Sequence, residues 1–402
     1  MFQFSQQHGF LNSEIMLQNS NFIKFLMLAI MLQSCIMPFE PHIDSKNLNK
    51  FVVTGQVSDN SDYQIVSIST SSSIGDPQYI PVSGCSARIF DDKGNQFTMQ
   101  EAEAGIYKVK IASNFMTPGT SFKVEILTSD GVNIKSDFDR MSECPPVDSV
   151  YYSREEIPTN IPGQVTIGLQ FYTDLNGGNL NSHFFRWEAI ETWEYQVDYP
   201  REWWYDGTVH RIIPPDYSRK VCWSTQLVKN IYTLSTKNLV ENKYYKLPLN
   251  FVDNHTPKLM YGYSLLINQY ALSEAAYSYW DQLRINGSEQ GGLYEKQPLS
   301  IEGNLHNNSN PDQKVLGFFG ASSVKSKRIF LRSVENFTLD FTTFCTADTL
   351  GVRVGFKAIS PSAYPVYLAG NSRTYLMICL SKYCVDCLTL GGTNIKPDFW
   401  LY

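Results

Sequence analysis

From Phe51 to Ser136, apolar and polar residues alternate in short runs, each closed by a turn signal. The runs are FVVTGQV, QIVSIST, SARIFD, QFTM, IYKVKIA, SFKVEIL and VNIKS. A period of two sends every second side chain to one face, the pattern of a half-buried strand. Asp91-Asp92-Lys93-Gly94-Asn95 and Ser129-Asp130-Gly131 are expected hairpin turns, since Gly and Asn accept the positive φ such turns need. Strands at this spacing predict an immunoglobulin-like β-sandwich over 48–142, with Ile89, Tyr107, Val109, Val124 and Ile126 pointing inward.

The prolines of ECPPVDS (143–149) continue neither strand nor helix, so a boundary is placed there. Beyond it, 143–402 reads as a larger β-rich domain. QVTIGLQFYTD and HFFRWEAIETWEYQV are long strand patterns, separated by a turn around Asn176-Gly177-Gly178-Asn179. That turn begins like a calcium loop, but Gly178 and Phe185 occupy ligand positions and the pattern fails. GYSLLINQYAL alternates as a strand. Ser273 then stands as an N-cap, with Ala276, Tyr279, Trp280 and Leu283 at helical spacing, so one helix is expected near 274–286, closed at Gly287. LSIEGNL, VLGFFGAS and RIFLRSV are expected to be separate short strands. The fold class is mainly β: an N-terminal sandwich, then a β-rich domain with one conspicuous helix.

The hydrophobic pattern before the first strand is of another kind. Residues 22–35 read FIKFLMLAIMLQSC, with Lys24 ahead of an apolar run that is too short to span a membrane. Leu, any residue, a small residue and Cys is the pattern cut by the lipoprotein signal peptidase. The expectation is a signal peptide over 1–34, a lipidated Cys35 and a polar tether over 35–47. Residues 1–15 hold no Lys or Arg, which leaves Met16 as an alternative start. Nothing later in the chain forms an apolar run of membrane-spanning length. The net charge of −6 is scattered along the chain, which argues against nucleic-acid binding.

An envelope compartment changes how the cysteines are read. Besides Cys35, the chain carries Cys85, Cys144, Cys222, Cys345, Cys379, Cys384 and Cys387. Outside the cytosol a structural disulfide is the ordinary state of such residues. Cys222, beside Trp223 in an expected strand, is paired with Cys384 or Cys387, and Cys345–Cys379 is a second candidate bridge. Zinc on Cys345, Cys379, Cys384 and Cys387 is the competing reading, although only the last pair has a zinc half-site spacing. A redox Cys-x-x-Cys would open a helix, and TLGGTN after Cys387 is turn-rich instead.

Catalytic signatures are missing from the sequence. There is no His-Glu-x-x-His, Gly-x-Ser-x-Gly, P-loop or dinucleotide fingerprint, and the six histidines stand singly. No catalytic residue, metal or cofactor is assigned. The densest aromatic segment is ETWEYQVDYPREWWYDG, Glu191–Gly207. Trp193, Tyr195, Tyr199, Trp203, Trp204 and Tyr205 form either a binding surface at a hairpin tip or packing over a sheet edge.

FVVTGQVSD, CPPVDSVYY, YGYSLLINQYALSEAAYSYWDQL, GGLYEKQPLSIEGNL, VLGFF and CVDCLTLGGTNIKPDFW follow one another in order after the lipobox. In this the chain resembles a family of Bacteroidota outer-membrane lipoproteins built on the domain of unknown function numbered 4249. The resemblance carries no catalytic residues. It implies an accessory or ligand-binding partner of an outer-membrane TonB-dependent transporter, lipid-anchored, with the membrane face left open. The alternative is a surface hydrolase of glycans or peptides whose catalytic groups come from distant strands.

Overall fold

The structure, a computed structural model, describes residues 50–72, 77–288, 301–332, 334–345, 347–350, 356, 359–371 and 376–401. The expected signal peptide over 1–34, Cys35 and the expected tether over 35–47 lie outside the described residues. The first part supplies β1 (Phe51–Ser58), β2 (Gln64–Thr70), β3 (Ser86–Asp91), β4 (Ile106–Val109), β5 (Ser121–Leu127) and β6 (Asn133–Ser136), with shorter strands at the edges. The second supplies β7 (Ser149–Pro158), β8 (Val165–Asn176), β9 (Phe184–Gln196), β10 (Arg201–Tyr205), β11 (Val209–Asp216), β12 (Val221–Leu227), β13 (Lys243–Asp253) and β14 (Gly262–Ala271). Helix α1 (Glu274–Ser288) follows, then β15 (Leu305–Asn307), β16 (Leu316–Leu331), β17 (Val366–Asn371) and β18 (Leu376–Leu380).

The expected turns form as chain chemistry requires. Gly94 and Gly131 hold φ of +90° and +87°, and the Asp91 carboxylate accepts from the Lys93 and Asn95 amides at 3.0 and 2.7 Å. The inward set is buried at Ile89, Tyr107, Val124 and Ile126 and half-buried at Val109. Ser273 caps α1, its Oγ accepting from the Ala276 amide at 3.0 Å. The helix runs one residue past Gly287.

β16 departs from expectation. VLGFFGAS and RIFLRSV are parts of one segment, and a single 16-residue strand covers Leu316–Leu331. Its first half, Leu316–Ser322, pairs in parallel with Val52–Ser58 of β1. Its second half, Ser323–Leu331, pairs antiparallel with β14. One ten-stranded sheet therefore runs through both parts of the chain, in the order β12-β9-β14-β16-β1-β2-β4 and then the edge strand Gln100–Glu103. β15 pairs with β6 on the opposite sheet of the first sandwich. The boundary expected at 143 is a chain linker, and the sheets do not divide there.

Changing partners mid-strand leaves backbone N–H groups of β16 without a ladder partner, and buried N–H groups must find one. Three side chains fill the gap. Asp59, just past β1, accepts from the Val324 amide at 2.7 Å and from Ser323 Oγ at 2.6 Å. Asp139 accepts from the Ala321 amide at 2.7 Å and from Ser273 Oγ at 2.5 Å. Asn304 exchanges two bonds with the backbone of Phe319. Burial pushes the Asp139 carboxyl up to about 6. At the strand's start Gly317 has φ +103°, and a Cβ there would lie 1.9 Å from the Val53 carbonyl oxygen.

Two apolar cores result. The first packs Val53, Val66 and Ile68 of the long sheet against Ile89, Phe122, Val124 and Ile126, and β16 adds Phe319 and Ala321 to it. The second packs Trp187, Leu265 and Ile267 of the same long sheet against Leu169, Phe171 and Leu249 of the β7-β8-β13 sheet. Helix α1 covers the other face of the long sheet, with Tyr279 stacked on Phe318. There the Arg186 guanidinium lies between the Tyr270 and Trp280 rings, 4.2 and 4.3 Å from their centroids.

Candidate binding surface on the stapled C-terminal sheet

β9 is longer than the core needs, and its last residues carry the chain into a smaller sheet, β11-β10-β17-β18 plus Ala347–Leu350. The C-terminal segment folds back over the junction. Cys222, opposite Tyr195 in the β9–β12 ladder, is bonded to Cys387, one of the two partners expected for it. Cys345 is bonded to Cys384. That corrects the Cys345–Cys379 bridge: the short turn at Lys382–Cys384 brings Cys384 to Cys345, while Cys379 stays in β18. With Cys345 and Cys384 in one disulfide and Cys387 in the other, three of the four thiolates of the zinc reading are consumed. Among the described residues no group of three His, Cys, Asp or Glu side chains is placed to hold a metal.

Polar ties reinforce the covalent ones. The Tyr195 hydroxyl donates to the Cys387 carbonyl at 3.0 Å, and burial raises its phenol pKa. Tyr199 gives its backbone amide to Cys384 O at 3.0 Å, and its ring packs on Cys384 and Val385. Arg219 meets Asp386 at 2.5 Å, and this carboxylate holds the guanidinium above its ordinary value. Thr393 and Trp223 exchange backbone bonds of 2.8 and 2.9 Å. Gly392 fits between them because a Cβ would lie 2.3 Å from the Tyr195 hydroxyl and 2.5 Å from Trp223 O.

The six aromatics therefore do not make one surface. Tyr195 and Tyr199 brace the disulfides. Trp193 is half-buried on the second core, with Lys258 Nζ 4.9 Å from its ring centroid. That lysine pairs at 2.5 Å with Glu191, a fully buried carboxylate that also accepts from Gln226, Tyr263 and Asn250. Burial, with the Glu191 charge beside it, raises the Tyr263 phenol well above its usual value. Every oxygen of Glu191 is engaged, which describes a structural ion pair.

Trp203, Trp204 and Tyr205 form β10, central in the small sheet and half-exposed. The β10–β11 register sets Trp203 opposite Arg211 and Trp204 opposite His210. Arg211 stacks 4.7 Å over Trp203 and reaches Glu202 at 2.9 Å. The His210 ring stacks on Trp204 at 4.0 Å and 15°, and its Nε2 lies 2.8 Å from Asp206 and 2.9 Å from Thr208 Oγ1. Hydrogen bonding from His210 lowers the Asp206 carboxyl. Tyr205 packs on Phe356 and Tyr364. This hairpin offers ring faces backed by a guanidinium and an imidazole and flanked by acids, which suits recognition of polar, partly apolar matter.

Sequence reasoning missed Arg211, His210 and Glu202. The signal was available: folding Asp206-Gly207-Thr208 as a turn, with Gly207 at φ +112°, matches Trp204 to His210 and Trp203 to Arg211. Two clefts of about 510 and 520 Å³ lie elsewhere, one around Gly303 and Lys314, the other around Arg140 and Asn181. None of the six aromatics lines either.

No curated protein matches the chain. Among solved structures it is similar to trypsin-activated alpha-2-macroglobulin from Escherichia coli at 11% identity and a TM-score of 0.19, over 59% of this chain and 15% of that one. The native conformation of the same E. coli protein gives 10%, a TM-score of 0.18, 56% and 13%. A DUF4785 family protein from Legionella pneumophila subsp. pneumophila gives 10%, a TM-score of 0.16, 55% and 53%. Such likeness carries no functional argument. The family model described as "Domain of unknown function (DUF4249)" matches residues 36–328, most of the chain, and the chain belongs to that family.

Proposed function

We propose that this protein is a lipid-anchored component of the outer membrane, held by Cys35, that acts as a non-enzymatic accessory or ligand-binding partner of a TonB-dependent transporter. The anchor rests on the lipobox, and the partner rests on the family resemblance. The observation that carries a binding role is the β10–β11 hairpin. Its Trp203 and Trp204 remain half-exposed although each already has a cationic or imidazole partner from β11. Half-exposed aromatic and Arg side chains on a rigid support are the usual energetic centre of a recognition surface. The doubly stapled platform supplies the rigidity. A hydrolase is less well supported, since Glu191, the most buried acid near these aromatics, has both oxygens occupied by donors.

The test is affinity purification from detergent-solubilised membranes, comparing wild type with the double variant Trp203→Ala, Trp204→Ala. The expected result is loss of a co-purifying membrane protein with the thermal midpoint nearly unchanged. Unchanged recovery with unchanged stability removes the hairpin from the function. Cys35→Ser tests the anchor separately: the protein should leave the membrane fraction or persist as precursor, and wild-type partitioning would refute lipidation.

A further inference from the structure

We infer that the rim of the C-terminal platform, the 217–220 turn together with 382–396, rests on a lipid surface bearing net-anionic phosphate headgroups. The two segments are joined: Asn394 Nδ2 donates to Ser218 O at 3.1 Å, and the Cys387 amide donates to Arg219 O at 3.0 Å. Three large side chains project from them without cover. Tyr217 is 59% exposed, Ile395 74% and Tyr383 49%. Lys220, Lys382 and Lys396 stand beside them, and none forms an ion pair within the described residues. Lys220 Nζ lies 5.8 Å from the Tyr217 ring centroid. Of the neighbouring acids, Asp386 pairs with Arg219 and Asp216 with Arg201. Exposed Asp398 beside Lys396 leaves the rim a net positive charge from three lysines.

The chemistry of the rim selects its occupant. Isolated tyrosines and one isoleucine amid unpaired lysines do not make the contiguous apolar centre of a protein interface, where lysine is depleted. At a membrane surface the same set is favourable: Tyr sits at headgroup level, an apolar side chain enters the acyl boundary, and lysines meet lipid phosphates. The rim is tied to the platform by two disulfides and the bonds to 218 and 219, which limits the ordering that docking requires. A lipid anchor leaves a folded domain free to tumble; a second contact fixes which face it presents. The contact is independent of the hairpin, and it does not require the transporter reading to be right.

Because an anchored protein follows vesicles regardless, the readout must be local. Amide hydrogen exchange of 215–221 and 388–396 is measured on full-length protein in detergent, on phosphatidylcholine vesicles, and on vesicles that also contain phosphatidylglycerol. The expected result is slowing of about tenfold or more on the anionic vesicles alone, as three lysines near a charged surface would produce. K220E with K382E and K396E should abolish it, and Ile395→Ser should weaken it, with both disulfides verified by non-reducing peptide mapping. Equal exchange on all three supports, or slowing that survives the triple reversal, overturns the inference. Inorganic phosphate in detergent is the remaining arm, and if it reproduces the slowing the rim is an ion site and the inference fails. Trp203→Ala with Trp204→Ala should leave the slowing intact, which separates this outcome from that of the transporter experiment.

Discussion

The two sandwich cores and the C-terminal platform solve the same problem by different means. Around β16, twenty buried side chains among the described residues form the first core and fifteen the second, so apolar burial is the main support of each. Asp59, Asp139 and Asn304 complete the shared strand. Among the described residues, the platform clusters centre on the cysteines 222, 384 and 387 with Tyr195 against them. Cross-links of this kind restrict the unfolded chain and so add to whatever burial supplies. The lesson is that the β10–β11 hairpin extends from a sheet tied covalently to its neighbours, while the shared strand runs through two large apolar cores.

Removing the staple is the strongest test of that contrast. Cys222–Cys387 closes a separation of 165 residues, worth roughly 5 kcal/mol in the chain-entropy account. The double variant Cys222→Ser, Cys387→Ser should open the platform while amides of β16 and β9 keep their exchange protection. Simultaneous loss of protection everywhere would mean that the platform is part of the cores. Phe319→Ala strikes the shared strand instead and should cost about 3–5 kcal/mol. It should lower the denaturant midpoint for both sandwiches together, since one strand serves both sheets; two separated transitions would break that claim.

Asp139 gives a pH-dependent version of the comparison. Its folded pKa of about 6 is above the ordinary carboxylate value of 3.8, so the folded protein binds the proton more tightly than the unfolded chain. Its contribution to stability is therefore highest below about pH 4, falls as pH rises toward 6, and is flat above. The size is about 3 kcal/mol at most, at 1.36 kcal/mol per pKa unit. Asp139→Asn keeps acceptor and donor for the Ala321 amide and Ser273 Oγ and should flatten that stretch of the stability–pH curve. A curve identical to wild type would show that Asp139 does not titrate there. The smallest expected effect is that of Trp203→Ala with Trp204→Ala on folding, about 1 kcal/mol or less for half-exposed rings. A loss of several kcal/mol by chemical denaturation would move those residues from recognition to packing.

Much of this was legible in the chain. The alternation of SARIFD and SFKVEIL identified strands and their buried faces, because a period of two leaves one face apolar whatever the partner is. Ser273 announced its helix because an N-cap is a local matter of one hydroxyl and one amide. The candidate site was only half legible. The aromatic density of 193–205 was visible, but its division into brace and hairpin was not, since packing direction depends on the partner strands of β9 and β10.

By itself the sequence determined the β class, the helix, the turns and the acceptable partners of Cys222, all of which follow from periodicity, local hydrogen bonding or side-chain chemistry. Tertiary structure alone decided that the LGFFGAS and RIFL patterns belong to one strand, that this strand joins both sheets, and that Cys384 goes to Cys345. The reason is physical. Parallel pairing of β1 with β16 and bridges across 39 and 165 residues are contacts between segments remote in sequence, and nothing in either segment specifies the other until the apolar faces of both have met.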